Sequence, residues 1–308
     1  MPNPIDPQTL AKIKGLRLRA QHIVEGYVAG LHRSPFQGFS IEFAEHREYA
    51  PGDDLKHVDW KVFGKTDRVY LKQYEEETNL IGYLVLDVSE SMAYGSEGPG
   101  ARGQGPGEQP AASKLEYAQT AAAALAYLIL HQQDSVGLAT FDDQVRKVLR
   151  PSSNASALNQ LLTVMMGGGG KEKTATGPIF HDLAERFTRR GVVVILSDLF
   201  DDPEPMLAGL KHFRSRRHDV VVMHVMDPAE IDFDFQQPTL FKGLEAAGDL
   251  LVEPARLRQA YKSEVDAFLK QVATGCRSQG ADYLLLRTDE PIGPVLARWL
   301  AHRQRRVR

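Results

Sequence analysis

The sequence contains a single cysteine, Cys276, among its 308 residues. One cysteine cannot form an internal disulfide, so a disulfide-stapled scaffold is excluded and a reducing compartment fits the composition. No apolar run approaches the roughly 18 residues of a membrane-spanning helix. The N-terminal stretch also lacks the apolar core of a secretion signal. We therefore expect a soluble, cytoplasmic protein without a transmembrane segment.

An excess of either charge is also missing. The 37 Lys and Arg residues nearly balance the 40 Asp and Glu residues, which leaves a formal net charge of -3. A chain with this balance has no overall electrostatic attraction for nucleic acid, and we expect no nucleic-acid partner. Hydrophobic residues make up 43% of the chain, which is ordinary for a globular protein with a full core.

The most informative stretch runs from residue 80 to residue 92. Six of the seven residues from Leu80 to Leu86 are apolar or aromatic, which predicts a strand buried on both faces. Asp87, Ser89 and Ser91 follow at alternate positions, and in an extended segment their side chains would point the same way. One carboxylate and two hydroxyls suit a hard cation such as Mg²⁺. A Ser-rich turn with an Asp cap is the alternative interpretation of this spacing.

Similar apolar strands recur at residues 136–141, 191–196, 219–225 and 283–286, and helical patterns separate most of them. This alternation predicts an α/β fold with a Rossmann-like, doubly wound, mostly parallel sheet. Residues 145–149 predict an antiparallel edge strand paired with 136–141. Ligands of such sheets bind at the carboxyl ends of the strands, at the switch point of strand order. Asp87 and Asp198 both lie at that end.

Residues 1–79 differ in character from the rest. They predict an amphipathic N-terminal helix and a small antiparallel β unit, with strands at 41–49 and 69–74, packed on the main domain. Residues 80–308 form the main domain, with a hairpin insertion near 238–252. The Gly- and Pro-rich stretch from Gly95 to Pro110 predicts a mobile loop rather than a dinucleotide site, because its glycines do not turn directly from strand into helix.

Three sequence elements resemble the metal-ion-dependent adhesion site of von Willebrand factor A domains. They are the Asp-x-Ser-x-Ser motif at residues 87–91, the Thr-Ala-Thr-Gly segment at 174–177, and the apolar strand that ends in Ser-Asp at 197–198. The resemblance implies a divalent cation, Mg²⁺ (or Mn²⁺ or Ca²⁺), held by Asp87, Ser89, Ser91, Thr174 and Asp198. Thr176 is the alternative to Thr174. We favour Thr174, because residues 176 and 177 then match the pair that normally follows.

Further motifs resemble the bacterial domain-of-unknown-function-58 family over nearly the whole chain. They include His-Arg-Ser at 32–34, Gly-Phe-Ser at 38–40, Pro-Gly-Asp-Asp at 51–54, Asp-Trp at 59–60 and Thr-Asp at 288–289. Genes of that family commonly lie beside genes for MoxR-type AAA+ ATPases. The resemblance thus implies a protein partner, either a MoxR-type AAA+ ATPase or its client, in a chaperone-like or complex-assembly role.

The leading hypothesis is a non-enzymatic, metal-dependent protein-interaction module. The sequence around Asp87 offers no nucleophile and base pair, so we expect no catalytic residues and no organic cofactor. The alternative is a Mg-dependent phosphohydrolase of the haloacid-dehalogenase type. In it Asp87 would act as the nucleophile, and the acids that bind the metal would be Asp198, Asp201 and Asp202. Ser89 stands where that family's general acid belongs. A third possibility is a structural domain with an empty site.

Overall fold

Strands and helices alternate along most of the chain in this computed structural model. The structure describes residues 7–28, 42–48, 62, 64, 69–75, 80–95, 112–154, 156–167, 176–241, 248 and 250–306. The chain forms two units, one of which is Phe36–Leu80; the other combines Met1–Pro35 with Ile81–Arg308. The N-terminal helix therefore shares a unit with the main sheet.

Among its described residues, the smaller unit contains one antiparallel strand pair. Strand β1 (Glu42–Glu48) pairs with β2 (Tyr70–Glu75), and the register shifts between Phe43 and Glu45. The two strands predicted in this region are thereby confirmed. The predicted packing of this unit on the main domain stays a prediction.

The larger unit is built on a six-stranded sheet with the order β10-β7-β6-β3-β4-β5. All neighbouring strands run parallel except β5, which is antiparallel to β4. The predicted doubly wound α/β fold and its antiparallel edge strand are confirmed. The strands of this sheet are β3 (Ile81–Asp87), β4 (Ser135–Phe141), β5 (Val145–Ser152), β6 (Val192–Ser197), β7 (Asp219–Met226) and β10 (Asp282–Arg287).

Two short strands form a separate hairpin that precedes a long helix. They are β8 (Thr239–Phe241) and β9 (Leu250–Val252), which pair in antiparallel fashion. The helices of the larger unit are α1 (Pro7–Val28), α2 (Lys114–His131), α3 (Ala157–Met165), α4 (Thr176–Arg186), α5 (Pro203–Ser215), the short α6 (Pro228–Asp232), α7 (Pro254–Ser278) and α8 (Ile292–Arg306). None of these described helices has the length and apolar composition of a bilayer-spanning segment.

Strand β3 is buried along its whole length, as its apolar run predicts. On one face, the ring of Tyr83 stacks on Phe187 at 4.1 Å, next to the layer of α4, α5 and α7. On the other face, Gly82 lies against Ile129 of α2, in the layer that also holds α1, α3 and α8. Because helices cover both faces, the carboxyl ends of the strands are the part of the sheet left for a ligand.

Helix α2 begins at the Ser-x-x-Glu sequence of residues 113–116, which forms a capping box. The Ser113 hydroxyl accepts a hydrogen bond from the Glu116 amide, and the Glu116 carboxylate accepts one from the Ser113 amide. This reciprocal pair satisfies two amide groups that have no partner inside the helix. It fixes the first residue of the helix, Lys114, beside the carboxyl ends of the central strands. The predicted mobile loop lies almost entirely outside the described residues.

Candidate functional site

The two predicted carboxylates lie at the switch point of the sheet. Asp87 is the last residue of β3, and Asp198 directly follows β6, which is the parallel neighbour of β3. From this pair of strands the chain winds outwards in both directions, to β4 on one side and to β7 on the other. Both carboxylates are 1% exposed. The sequence predicted the placement of these two acids at the carboxyl ends of their strands.

Ser89 and Ser91 join this pair, but by a different geometry from the one predicted. Residues 87–91 are not extended, because β3 ends at Asp87 and a 3₁₀ turn begins at Ser91. The Ser89 amide donates to Oδ1 of Asp87 at 2.9 Å, which closes a turn. This turn brings the Ser89 and Ser91 hydroxyl oxygens to 3.0 Å from each other. The alternating motif therefore converges through an Asx-type turn and not through strand periodicity.

Asp87 is a buried acid that receives no neutralising cation from the described residues. Its Oδ2 accepts a hydrogen bond of 2.5 Å from the Ser197 hydroxyl. Within the described part of the chain, no Lys, Arg or His side chain forms an ion pair with it. Burial, followed by the negative charge of Asp198, raises the pKa of Asp87 to about 7. A divalent cation beside Asp87 would supply the missing positive charge.

Asp198 already has a cation next to it, the side chain of Lys114. The Lys114 Nζ lies 2.8 Å from Oδ2 of Asp198 and 2.6 Å from Oε1 of Glu230 in α6. Lys114 is fully buried. Burial lowers the pKa of Lys114, but attraction to Asp198 and Glu230 together outweighs it, so the pKa stands above its ordinary value. The ammonium group is therefore charged and fixed between two acids.

The backbone of Asp198 is held by His224 of β7. The His224 Nε2 lies 2.8 Å from the Asp198 carbonyl oxygen, and Nδ1 lies 2.9 Å from the Tyr283 hydroxyl. Burial lowers the pKa of His224 to about 4, so the ring is neutral. Because a carbonyl only accepts, Nε2 carries the proton, and Nδ1 accepts from Tyr283. His224 thus positions Asp198 and does not act as a base for the serine hydroxyls.

The threonine segment is described only from Thr176 onwards, and Thr174 lies outside the described residues. The Thr176 amide and hydroxyl both donate to Oδ2 of Asp201, at 2.7 and 2.8 Å. Asp201 therefore holds the first residue of α4 against the segment that follows β6. The Thr176 hydroxyl donates its proton here and keeps its oxygen lone pairs, so this contact does not decide between Thr174 and Thr176 as the predicted ligand.

The donor set suits Mg²⁺ in its chemistry, because it consists of carboxylate and hydroxyl oxygens. Across the described ranges, no group of three or more His, Cys, Asp or Glu side chains is placed to hold a metal ion. A site in this protein would therefore depend on two carboxylates and neutral hydroxyls. The carboxyl ends of the two central strands bring together Asp87, Ser89, Ser91 and Asp198. The role of these residues as metal ligands stays a prediction.

Sequence reasoning missed two residues that shape this site, Lys114 and Glu230, and it did not predict the supporting contacts of Ser197 and Asp201. One signal was available for Lys114, because a cation in the first turn of a helix opposes the helix dipole and needs a partner. Asp227 and Glu230 also show the spacing of a capping box, which the structure contains. Nothing in the sequence indicates that these two helix starts meet over Asp198.

Similar proteins carry related sequences over almost their whole length. The chain is 26% identical over 306 residues to the uncharacterized protein Rv1480 of Mycobacterium tuberculosis, covering 97% of this chain and 91% of the relative. The uncharacterized protein Mb1516 of Mycobacterium bovis matches equally well, also at 26% identity over 97% of this chain and 91% of its own.

Among solved structures, the conserved hypothetical protein BatB of Bacteroides thetaiotaomicron matches 73% of this chain and 99% of its own, at 15% identity and a TM-score of 0.45. The SpRpn10 VWA domain matches 71% of this chain and 94% of its own, at 11% identity and a TM-score of 0.39. The model of the family described as "Protein of unknown function DUF58" matches residues 45–269, and the chain therefore belongs to the DUF58 family.

Proposed function

We propose that this protein is a metal-dependent protein-interaction module. The cation, Mg²⁺ (or Mn²⁺ or Ca²⁺), would be held by Asp87, Ser89, Ser91, Thr174 and Asp198. The observation that carries the proposal is the buried carboxyl group of Asp87, which pairs with no described cation although two hydroxyls and a second carboxylate lie beside it. Such an arrangement of hard oxygen donors is the kind that binds a hard cation.

The proposed cation site also indicates what the protein partner would contribute to it. When bound, the cation would supply an open or water-filled coordination position that attracts a further anionic oxygen. The turn at residues 87–91 holds the serine hydroxyls in place, and Ser197 and His224 fix the two acids. We therefore propose that the partner contributes an Asp or Glu side chain. The family resemblance points to a MoxR-type AAA+ ATPase or its client as that partner.

A non-enzymatic role agrees better with the contacts than hydrolysis does. Among the described residues, the hydroxyls of Ser89 and Ser91 face each other without an imidazole hydrogen-bonded to them, and the carboxylate next to Ser89 is Asp87, a proposed metal ligand. In a phosphohydrolase of this type, Asp201 and Asp202 would have to bind the metal ion. Instead, Asp201 holds Thr176, and Asp202 caps α5 by accepting from the Glu204 amide. Phosphatase turnover that is lost in Asp87→Asn would reverse this preference.

The test measures association with a purified MoxR-type AAA+ ATPase from the same genome, in Mg²⁺ and in excess chelator. We expect binding in Mg²⁺ and its loss on chelation. Because the ATPase needs Mg²⁺ for its own nucleotide, the decisive comparison is made in Mg²⁺ with Asp87→Asn. A matched control is Asp289→Asn, which changes another strand-end acid, one paired with Arg287. Binding by Asp87→Asn equal to that of the control and the wild type would refute the proposal.

A further inference from the structure

The position of Lys114 needs an explanation beyond packing. It is the first residue of α2, where the helix dipole disfavours a positive charge. Its side chain is nevertheless fully buried, among the largest side chains to be so. The aromatic rings of Tyr94 and Phe200 lie 5.8 and 5.4 Å from Nζ and add favourable contact with the ammonium group. A buried ammonium at a helix start persists only where nearby anions hold it.

The two anions that hold Lys114 differ in their roles. Asp198 belongs to the proposed cation site, whereas Glu230 belongs to α6 and also accepts from the Asp227 amide at 2.9 Å through its second oxygen. Glu230 therefore stays in place whether or not Lys114 contacts it. Lys114 has one partner inside the cation site and one outside it.

The contact with Lys114 also occupies an oxygen of the Asp198 carboxylate. Oδ2 of Asp198 receives the ammonium, and Oδ1 receives the Phe200 amide at 3.3 Å. A divalent cation that uses this carboxylate would lie close to the ammonium group, and like charges at that separation repel. Metal and ammonium therefore compete for the same carboxylate.

We propose that Lys114 is a built-in competitor of the divalent cation for Asp198 and that Glu230 is the acceptor that retains the ammonium when metal enters. This inference rests on the proposed cation site and adds its regulation. Lys114 lowers the affinity of the site for metal, so the site fills only when the divalent cation is abundant or when a partner's carboxylate adds to the coordination. Lys114 also neutralises Asp198 in the metal-free protein.

The experiment titrates Mg²⁺ alone into the full chain by calorimetry. Lys114→Met should bind Mg²⁺ about tenfold more tightly than the wild type, a typical coupling between two linked ligands. Glu230→Gln should bind it more weakly, because the ammonium then has only Asp198 as an anionic partner. In the double variant the effect of Glu230→Gln should largely disappear, as expected if Glu230 acts through Lys114. Lys211→Met, an exposed lysine in α5, should match the wild type.

The possible outcomes separate this inference from the proposed function. Equal Mg²⁺ affinity in the wild type and Lys114→Met would overturn the inference and leave the cation site standing. No Mg²⁺ binding by either protein would overturn both. If Lys114→Met does not fold, the ¹⁵N signal of the Lys114 ammonium in the wild type decides. It should shift on addition of Mg²⁺ as the contact with Asp198 is exchanged, and an unchanged signal at saturating Mg²⁺ would overturn the inference.

Discussion

The hydroxyl of Ser197 donates a 2.5 Å hydrogen bond to Oδ2 of Asp87, and its oxygen accepts a 2.9 Å bond from the Leu199 amide. This one side chain joins the ends of β3 and β6 and holds the turn that carries Asp198. The separation of the two acids is therefore set by the sheet and not by loop conformation. Sites built on strands in this way are more accurately placed than sites on loops.

The hydroxyl pair at Ser89 and Ser91 should be required for metal binding. Loss of outer-shell partners alone costs about 10- to 100-fold in metal affinity, so loss of two direct ligands should cost at least about 100-fold. Calorimetry with Mg²⁺ compares Ser89→Ala/Ser91→Ala with Ser215→Ala/Ser278→Ala. The control removes two exposed hydroxyls that donate to carbonyls at helix ends. Equal Mg²⁺ uptake by the two double variants would remove the serines from the site.

Asp201 should stabilise the start of α4. Its carboxylate accepts from the amide and the hydroxyl of Thr176, so Asp201→Ala leaves a helix-terminal amide and a buried hydroxyl without this acceptor. We expect a loss of about 1–2 kcal/mol in unfolding free energy by denaturant titration. Asp182→Ala, which breaks an exposed pair with Arg186, should cost no more than about 0.5 kcal/mol. A loss in Asp201→Ala no larger than in this control would contradict the assigned role.

Two helix glycines should respond in opposite directions to substitution by alanine. A Cβ on Gly209 of α5 would lie 2.8 Å from the Cβ of Phe180 and 3.0 Å from the Gly177 carbonyl oxygen, whereas one on Gly15 of α1 would meet no atom within 4 Å. Gly209→Ala should lower the unfolding free energy by about 1–3 kcal/mol through overpacking. Gly15→Ala should raise it by about 0.5–1 kcal/mol through helix propensity. A rise in unfolding free energy in Gly209→Ala would show that α4 and α5 are not in close contact.

His218 should make stability depend on pH on the acid side of neutrality. Burial beside the rings of Tyr83, Phe187 and Phe213 lowers its pKa below the ordinary 6.5. Between the lowered pKa and 6.5, the unfolded chain binds the proton more readily. The contribution of the neutral ring is therefore complete above 6.5 and is lost as the pH falls below it. Each unit of lowering corresponds to about 1.4 kcal/mol.

Thermal unfolding of three proteins between about pH 7 and pH 5 measures this contribution. The wild type should lose more stability on acidification than His218→Gln does. The exposed His131 provides the control, and His131→Gln should follow the wild type. An identical pH dependence in His218→Gln and the wild type would assign the acid sensitivity to other groups.

The centre of the sheet was predictable because β3 and β6 are almost wholly apolar and end at polar residues. β3 and β6 are buried on both faces, so their sequences carry a strong signal, and the rule for ligands in open α/β sheets then places Asp87 and Asp198 together. The convergence of Ser89 and Ser91 was predicted for the wrong reason. Periodicity describes an extended strand, whereas the Asp87 carboxylate ends the strand by accepting the Ser89 amide.

The role of Lys114 could not be predicted in the same way. Its partners Asp198 and Glu230 are 84 and 116 residues away in sequence, and local pattern does not determine which helix starts meet across a sheet. Its burial depends on tertiary packing, which places an ammonium group in the core only because two acids lie there as well. From the charge pattern of its helix alone, Lys114 would be predicted to be an exposed cation.

The cation site itself is tested most directly by a crystal of the protein grown with Mn²⁺, with data collected at the manganese absorption edge. An anomalous peak should appear beside Asp87, Ser89, Ser91 and Asp198, at about 2.1 Å from the serine hydroxyl oxygens, close to the distance that Mg²⁺ requires. The peak should be absent from crystals of Asp87→Asn grown in the same solution. Anomalous density elsewhere on the molecule, with none at these four residues in the wild type, would contradict the account.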